Sequence, residues 1–119
     1  MSRVFAVQQP TGRDAGTGAI KPTMDLSPAL EYGELRFILR DWENPFSNPQ
    51  STADEVRRVM EEEGFNEGDW ILLVGNPMLI GMVAAEAARL SGGLRMLQWS
   101  RSDHCYKSVA VQLYGEDGD

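Results

Sequence analysis

The chain has 119 residues, of which 42% are hydrophobic and 24% charged, with 11 Lys and Arg against 18 Asp and Glu. That length makes one domain rather than two, and the net charge of -7 sets the molecule against nucleic acid and acidic membrane surfaces. No apolar run reaches the roughly 18 to 20 residues that cross a bilayer, since the nearest, Pro77 to Leu90, is short and carries Glu86 and Arg89.

The N-terminus, MSRVFAVQQP, lacks the pattern of a signal peptide. Residues 3–8 read as a first strand, with Val4, Phe5 and Val7 as strand formers. The glycine-rich segment 9–24 is longer than an ordinary connection and is expected to be a β-hairpin or a flexible flap. Its GRDAGTGAIK stretch fails as a phosphate loop, because no Gly-Lys-Ser/Thr ends it and no apolar helix follows. Residues 25–33 form a compact helical turn with Ser27 as cap, Pro28 in its first position and Gly33 closing it. Residues 34–39 alternate as a strand, with Leu35, Phe37 and Leu39 on one face. The loop 40–50 carries two Asn-Pro steps, and its Trp42 and Phe46 are expected to fold back over a core edge.

A first long helix is expected over 51–64, capped by Ser51 or Thr52, with Val56, Val59 and Met60 as its apolar stripe. The run WILLV (70–74) is nearly all apolar and reads as a central strand covered on both faces. After Gly-Asn-Pro a second helix runs from 77 to 90. It is apolar on almost every side and so reads as buried, with Gly81, Ala84, Ala85 and Ala88 allowing a close approach to the sheet. Residues 94–99 and 108–114 are two further strands, joined by a polar turn at 100–107. The expected architecture is a single α/β domain over 1–114, a mixed sheet of about five strands with two main helices and a C-terminal β-hairpin. Residues 115–119 are expected to be a disordered acidic tail. The expected core comprises Val7, Leu35, Phe37, Val56, Val59, Ile71, Leu73, Ile80, Val83, Leu97 and Val109.

Two stretches could carry chemistry. At Gly75-Asn76-Pro77, a strand turns into a helix, where free N–H groups and a positive dipole end can hold an anion. One glycine, no lysine and a proline without a donor argue for a plain joint instead. Gly75 and Asn76 remain the anion-binding candidates. The second stretch, WSRSDHCYK (99–107), gathers an aromatic, basic and polar set. One Cys and one His cannot build a common zinc quartet, and neighbouring residues of a hairpin point apart, so neither a metal site nor a catalytic residue is assigned. Trp99, Arg101, His104 and Tyr106 are the partner-binding candidates, being types enriched at binding hot spots. The alternative is that Trp99 and Tyr106 only pair across the hairpin. The single Cys105 points to a reducing compartment. The acids at 61–69 read as a solvated helix end, with mimicry of a nucleic-acid backbone as the sharper alternative.

With Asp69 and Trp70 before an apolar strand, Gly75-Asn76-Pro77 leading into an Ala-rich helix, and Trp99, Arg101 and Tyr106 in a closing hairpin, the chain resembles a type of small α/β protein encoded by tailed bacteriophages. VQQPTGRD and DLSPALEYGEL extend the likeness over most of the chain, while Ser100 stands where that type carries an acid. The resemblance implies a virus-encoded protein of the host cytoplasm. Together these readings favour a non-catalytic accessory protein that binds a host or phage protein and modulates an enzyme. No cofactor, direct nucleic-acid contact or membrane contact is expected, and a homodimer is left open. A small-ligand, anion-binding or hydrolytic protein using the Gly75–Pro77 turn is the alternative, and an acidic inhibitor mimicking nucleic acid the third.

Overall fold

The structure is a computed structural model and describes residues 2–40 and 44–114. The chain begins with strand β1 (Arg3–Gln8) and a small antiparallel hairpin of β2 (Thr11–Arg13) and β3 (Ile20–Pro22). A 3-10 helix (Ser27–Tyr32) then leads into β4 (Glu34–Leu39). Helix α1 (Pro49–Glu62), β5 (Trp70–Leu72), helix α2 (Pro77–Ser91), β6 (Gly93–Ser100) and β7 (Cys105–Gln112) complete the order. The main sheet runs β4-β1-β5-β6-β7. Its first four strands are parallel and β7 returns antiparallel to β6. This is the expected single-domain mixed sheet of five strands with two main helices and a C-terminal hairpin.

Both faces of the sheet are covered, which is why β1 and β5 are apolar with little alternation. On one face Phe5, Val7 and Ile71 meet Val56 and Met60 of α1 and Leu79, Val83 and Ala87 of α2. Phe65 closes this layer with its ring edge-on to Phe5 at 5.3 Å. On the other face Val4, Ala6, Leu72 and Leu97 pack under Leu26 and Ala29 of the 3-10 helix region and under Tyr106. As expected, β5 is the middle strand, between β1 and β6.

The same device starts both helices. Asn48 accepts from the Ser51 N–H at 3.1 Å and Asn76 from the Met78 N–H at 2.8 Å, each followed by a proline at the first helical position. Proline fits there because its missing N–H has no intrahelical partner to lose. Helix α1 therefore starts two residues before Ser51, and Asn48 is its cap in place of Ser51 or Thr52. The Thr52 hydroxyl donates to the Asn48 carbonyl instead. At the 3-10 helix Leu26 and not Ser27 is the cap residue and makes no side-chain cap bond, while the Asp25 carboxylate before it accepts from the Ser27 N–H.

Three expectations about burial are corrected. Phe37 and Val109 are exposed (44% and 51%), because β4 and β7 are the two sheet edges. Helix α2 is buried on one side only: Leu79, Val83, Ala87 and Ala88 face inward, while Met78, Gly81 and Ala85 are exposed. Its overall apolarity hid that asymmetry. Phe46 is exposed as well (71%), not folded over the core. Trp42 and the 115–119 tail lie outside the described residues.

A substitution pair tests the inward face of α2. Ala87 is 1% exposed, so Ala87→Leu is expected to cost about 1–3 kcal/mol by overpacking. Ala85→Leu, on the exposed side, is expected to stay within about 0.5 kcal/mol of the parent. Urea denaturation of the two variants separates them. Equal midpoints would place the helix face elsewhere.

Candidate functional site

In an open, mostly parallel sheet, ligands tend to bind outside the carboxyl ends of the strands, where the connections leave in opposite directions. Here the connection from β1 to β4 crosses the face covered by the 3-10 helix, while α1 and α2 cross the other face. The switch therefore falls between β1 and β5, whose carboxyl ends are Gln8 and the turn after Leu72.

Gln8 fills that point. It is buried, its side-chain amide donates to the Arg40 carbonyl at 3.0 Å, and its carbonyl accepts from the Asn76 N–H at 3.3 Å. Gly75 makes room for it. Its φ is 113°, and a Cβ there would lie 2.8 Å from the Gln8 Cβ. The turn that could have held an anion thus has three of its donors engaged: the Asn76 N–H by Gln8, the Met78 N–H by the Asn76 side chain, the Ile80 N–H by the Asn76 carbonyl. Pro77 has none to offer.

An open space lies one strand further on. A cleft of about 290 Å³ runs outside β5 and β6, bounded by Gly75, Gln98, Trp99 and Arg101, with Pro10 and Met24 of the hairpin region on its far side. It joins the two stretches that the sequence kept apart, since Gly75 and the Trp99–Arg101 segment line the same cleft. The wall carrying Pro10 and Met24 was not anticipated, because nothing in the 9–24 segment signals which strand end it lies against. Asp14 organises that hairpin, accepting from Thr17 and pairing with Lys21 at 3.3 Å. These hydrogen bonds, from Thr17 first and then Lys21, hold its carboxyl below the usual range.

The hairpin tip is built on Trp99 and Tyr106, which face each other in register with rings edge-on at 5.1 Å. Trp99 is half-buried and lines the cleft, whereas Tyr106 is 4% exposed and belongs to the core. Burial, and next the nearby Asp25 charge, push the Tyr106 hydroxyl above its ordinary pKa. The turn that joins their strands is residues 101–104. His104 is exposed with φ 51° and so forms the left-handed corner of the turn. Asp103 pairs with Lys107 at 2.6 Å. Arg101 is exposed at the mouth of the cleft and engages no carboxylate or hydrogen-bond acceptor among the described residues. Of the four hairpin candidates, two line the cleft, one shapes the turn and one is interior.

The acidic stretch at 61–69 has a different job. Glu61 pairs with Arg89, Glu62 with Arg58, and Glu63 with Arg3 and Arg36. Asp69 is buried and accepts from the Arg3 backbone N–H, the Arg3 guanidinium and the Asn66 N–H. Trp70 beside it stacks under the Arg95 guanidinium at 4.0 Å and edge-on to Tyr32 at 5.5 Å. These residues knit the amino ends of the strands, opposite the cleft. No group of three or more His, Cys, Asp or Glu side chains converges as a metal site among the described residues. No described helix is long and apolar enough to cross a membrane.

The fold and cleft define a small α/β protein with an open, Arg- and Trp-lined cleft at the carboxyl end of its sheet. The chain belongs to the Phage Pam3 gp32-like protein family, whose model matches residues 2–113. It is a phage-type protein, as the resemblance implied. No match was found among curated proteins or among solved structures.

Proposed function

We propose that this phage protein is a non-catalytic accessory factor of the host cytoplasm that binds another protein through the cleft between the 9–24 hairpin and the Trp99–His104 tip. The observation carrying this reading is Arg101, an unengaged cation beside a half-buried tryptophan in an otherwise acidic molecule. Tryptophan and arginine supply contact area and directed hydrogen bonds, and an unpaired guanidinium suits a partner carboxylate. The cleft sits at the small end of the roughly 300 to 1,000 Å³ typical of ligand pockets, and it fits one or two partner side chains better than a whole cofactor. The anion-binding alternative at Gly75 and Asn76 is weakened because the Asn76 and Met78 N–H groups already have acceptors. The nucleic-acid mimic is weakened because Glu61, Glu62, Glu63 and Asp69 are paired with arginines of the same chain.

The double variant Arg101→Ala, His104→Ala leaves Trp99 and Tyr106 in place. It is expected to keep the melting temperature and to lose partner capture from infected-cell lysate. The parent's capture is expected to weaken as salt rises, as steered charge contacts do. Capture that survives both the double variant and high salt would move the binding surface away from the tip.

A further inference from the structure

We propose that β7 is a dimer seam, through which two copies of this chain pair antiparallel about a two-fold axis and join their sheets into one of ten strands. This goes beyond the cleft reading and does not depend on it.

The geometry of the strand itself supports the pairing. β7 ends the sheet and spans eight residues. The Leu73 N–H donates to the Leu97 carbonyl, so Leu97 turns its backbone groups toward β5 while Met96 and Gln98, opposite Val109 and Lys107, turn theirs toward β7, which fixes the parity of the β6–β7 ladder. Residues 105, 107, 109, 111 and 113 turn their backbone groups toward β6, and antiparallel alternation turns those of Tyr106, Ser108, Ala110 and Gln112 outward. Such a row is a template for another strand, and edges left solitary are normally guarded by proline, bulges or several charges. β7 has no proline and one charge, Lys107, already paired within its own chain to Asp103. The other edge, β4, carries Glu34 and Arg36.

A two-fold axis at Val109 uses every outward group. It sets Tyr106 opposite Gln112 and Ser108 opposite Ala110, in both directions. Val109 then faces its own copy, and Lys107 faces Val111 rather than another lysine. The exposed side chain of Val109 (51%) meets its own copy directly and that of Val111 (41%) diagonally on one face, as cross-strand apolar pairs do. The net charge of -7 opposes self-association in general, but within β7 itself Lys107 is the one charged residue. A strand of about 26 Å with two valines a side lies at the low end of specific interfaces, so the dimer is reversible and concentration-dependent.

Sedimentation velocity, with reductant present to keep Cys105 free, tests this from micromolar to millimolar protein. The mass is expected to rise from 13.2 kDa toward twice that value. Amide exchange of Ser108 and Ala110 is expected to slow over the same range, while Val109 and Val111 stay protected throughout. Val109→Lys places two ammonium groups opposite each other, and Ala110→Pro removes an outward donor without touching the β6 ladder. Each is expected to remain a monomer at the highest concentration with an unchanged circular dichroism spectrum. A parent that stays monomeric throughout, or a dimer that survives in both folded variants, overturns the proposal. So does a dimer whose Ser108 and Ala110 amides exchange as fast as in the monomer.

Discussion

Asp69→Ala is expected to destabilise the protein by about 3–5 kcal/mol, the range for stripping one partner from a buried charge pair. Asp69 is 2% exposed, and its carboxylate collects the Arg3 N–H at 3.1 Å, the Arg3 Nη2 at 2.9 Å and the Asn66 N–H at 3.0 Å. Removing it leaves these donors facing a hole that an alanine methyl cannot fill. The damage spreads because the Arg3 guanidinium also donates to the Glu63 and Gly64 carbonyls, satisfying acceptors at the end of α1. Urea denaturation should show a lower midpoint with an unchanged slope. Arg3→Lys is expected to lose part of the same stability, since an ammonium cannot reproduce the fork that reaches both the carboxylate and the helix end. Equal stability of the parent and Asp69→Ala would reduce this network to a surface ornament.

Gly75→Ala is expected to cost about 2–4 kcal/mol, combining backbone strain with a clash. The φ of 113° lies where side chains are strained whatever the space, and the new Cβ would meet the Gln8 Cβ at 2.8 Å and Oε1 at 3.1 Å. To relieve that contact, Gln8 must give up the Arg40 carbonyl or the Asn76 N–H. The double variant Gly75→Ala, Gln8→Gly separates the two contributions. With Cβ and Oε1 both absent from position 8 the clash is gone and only the strain remains, so the double loss should be smaller than the sum of the single losses. Strict additivity would mean that the two residues do not press on each other.

The order and type of the elements could be read from local chemistry. Two of the three Asn-Pro steps, at Asn48 and Asn76, are helix starts, and at Asn48 the serine and threonine that follow are rival cap types. The apolar run Trp70–Val74 announced a middle strand, yet the ladder stops at Leu72 because the chain must turn toward Gly75. What local pattern could not supply is which strands lie at the edges. Phe37 and Val109 sit in well-alternating strands, and only the strand order reveals that those strands are the sheet's two edges. The candidate site shows the same division. Trp99 and Arg101 were visible as residue types, and their meeting with Gly75 in one cleft follows from the β5–β6 pairing. Gln8 carried one signal, a polar residue closing an apolar strand, and that signal marked the switch point of the sheet.

The strand order also has a consequence for how the chain comes to its final shape. β1 is made first, yet its neighbours are residues 34–39 on one side and 70–72 on the other. It has no local partner, while β6 and β7 zip up around a four-residue turn. During synthesis on a ribosome, Val4 to Val7 must therefore wait, unsheltered, until more than half of the chain has emerged, and the closing of that long loop sets the pace of folding. A fragment ending before Trp70 keeps a sticky strand with one side unclaimed and is prone to aggregation, whereas the C-terminal hairpin, though made last, can close on itself as soon as it emerges.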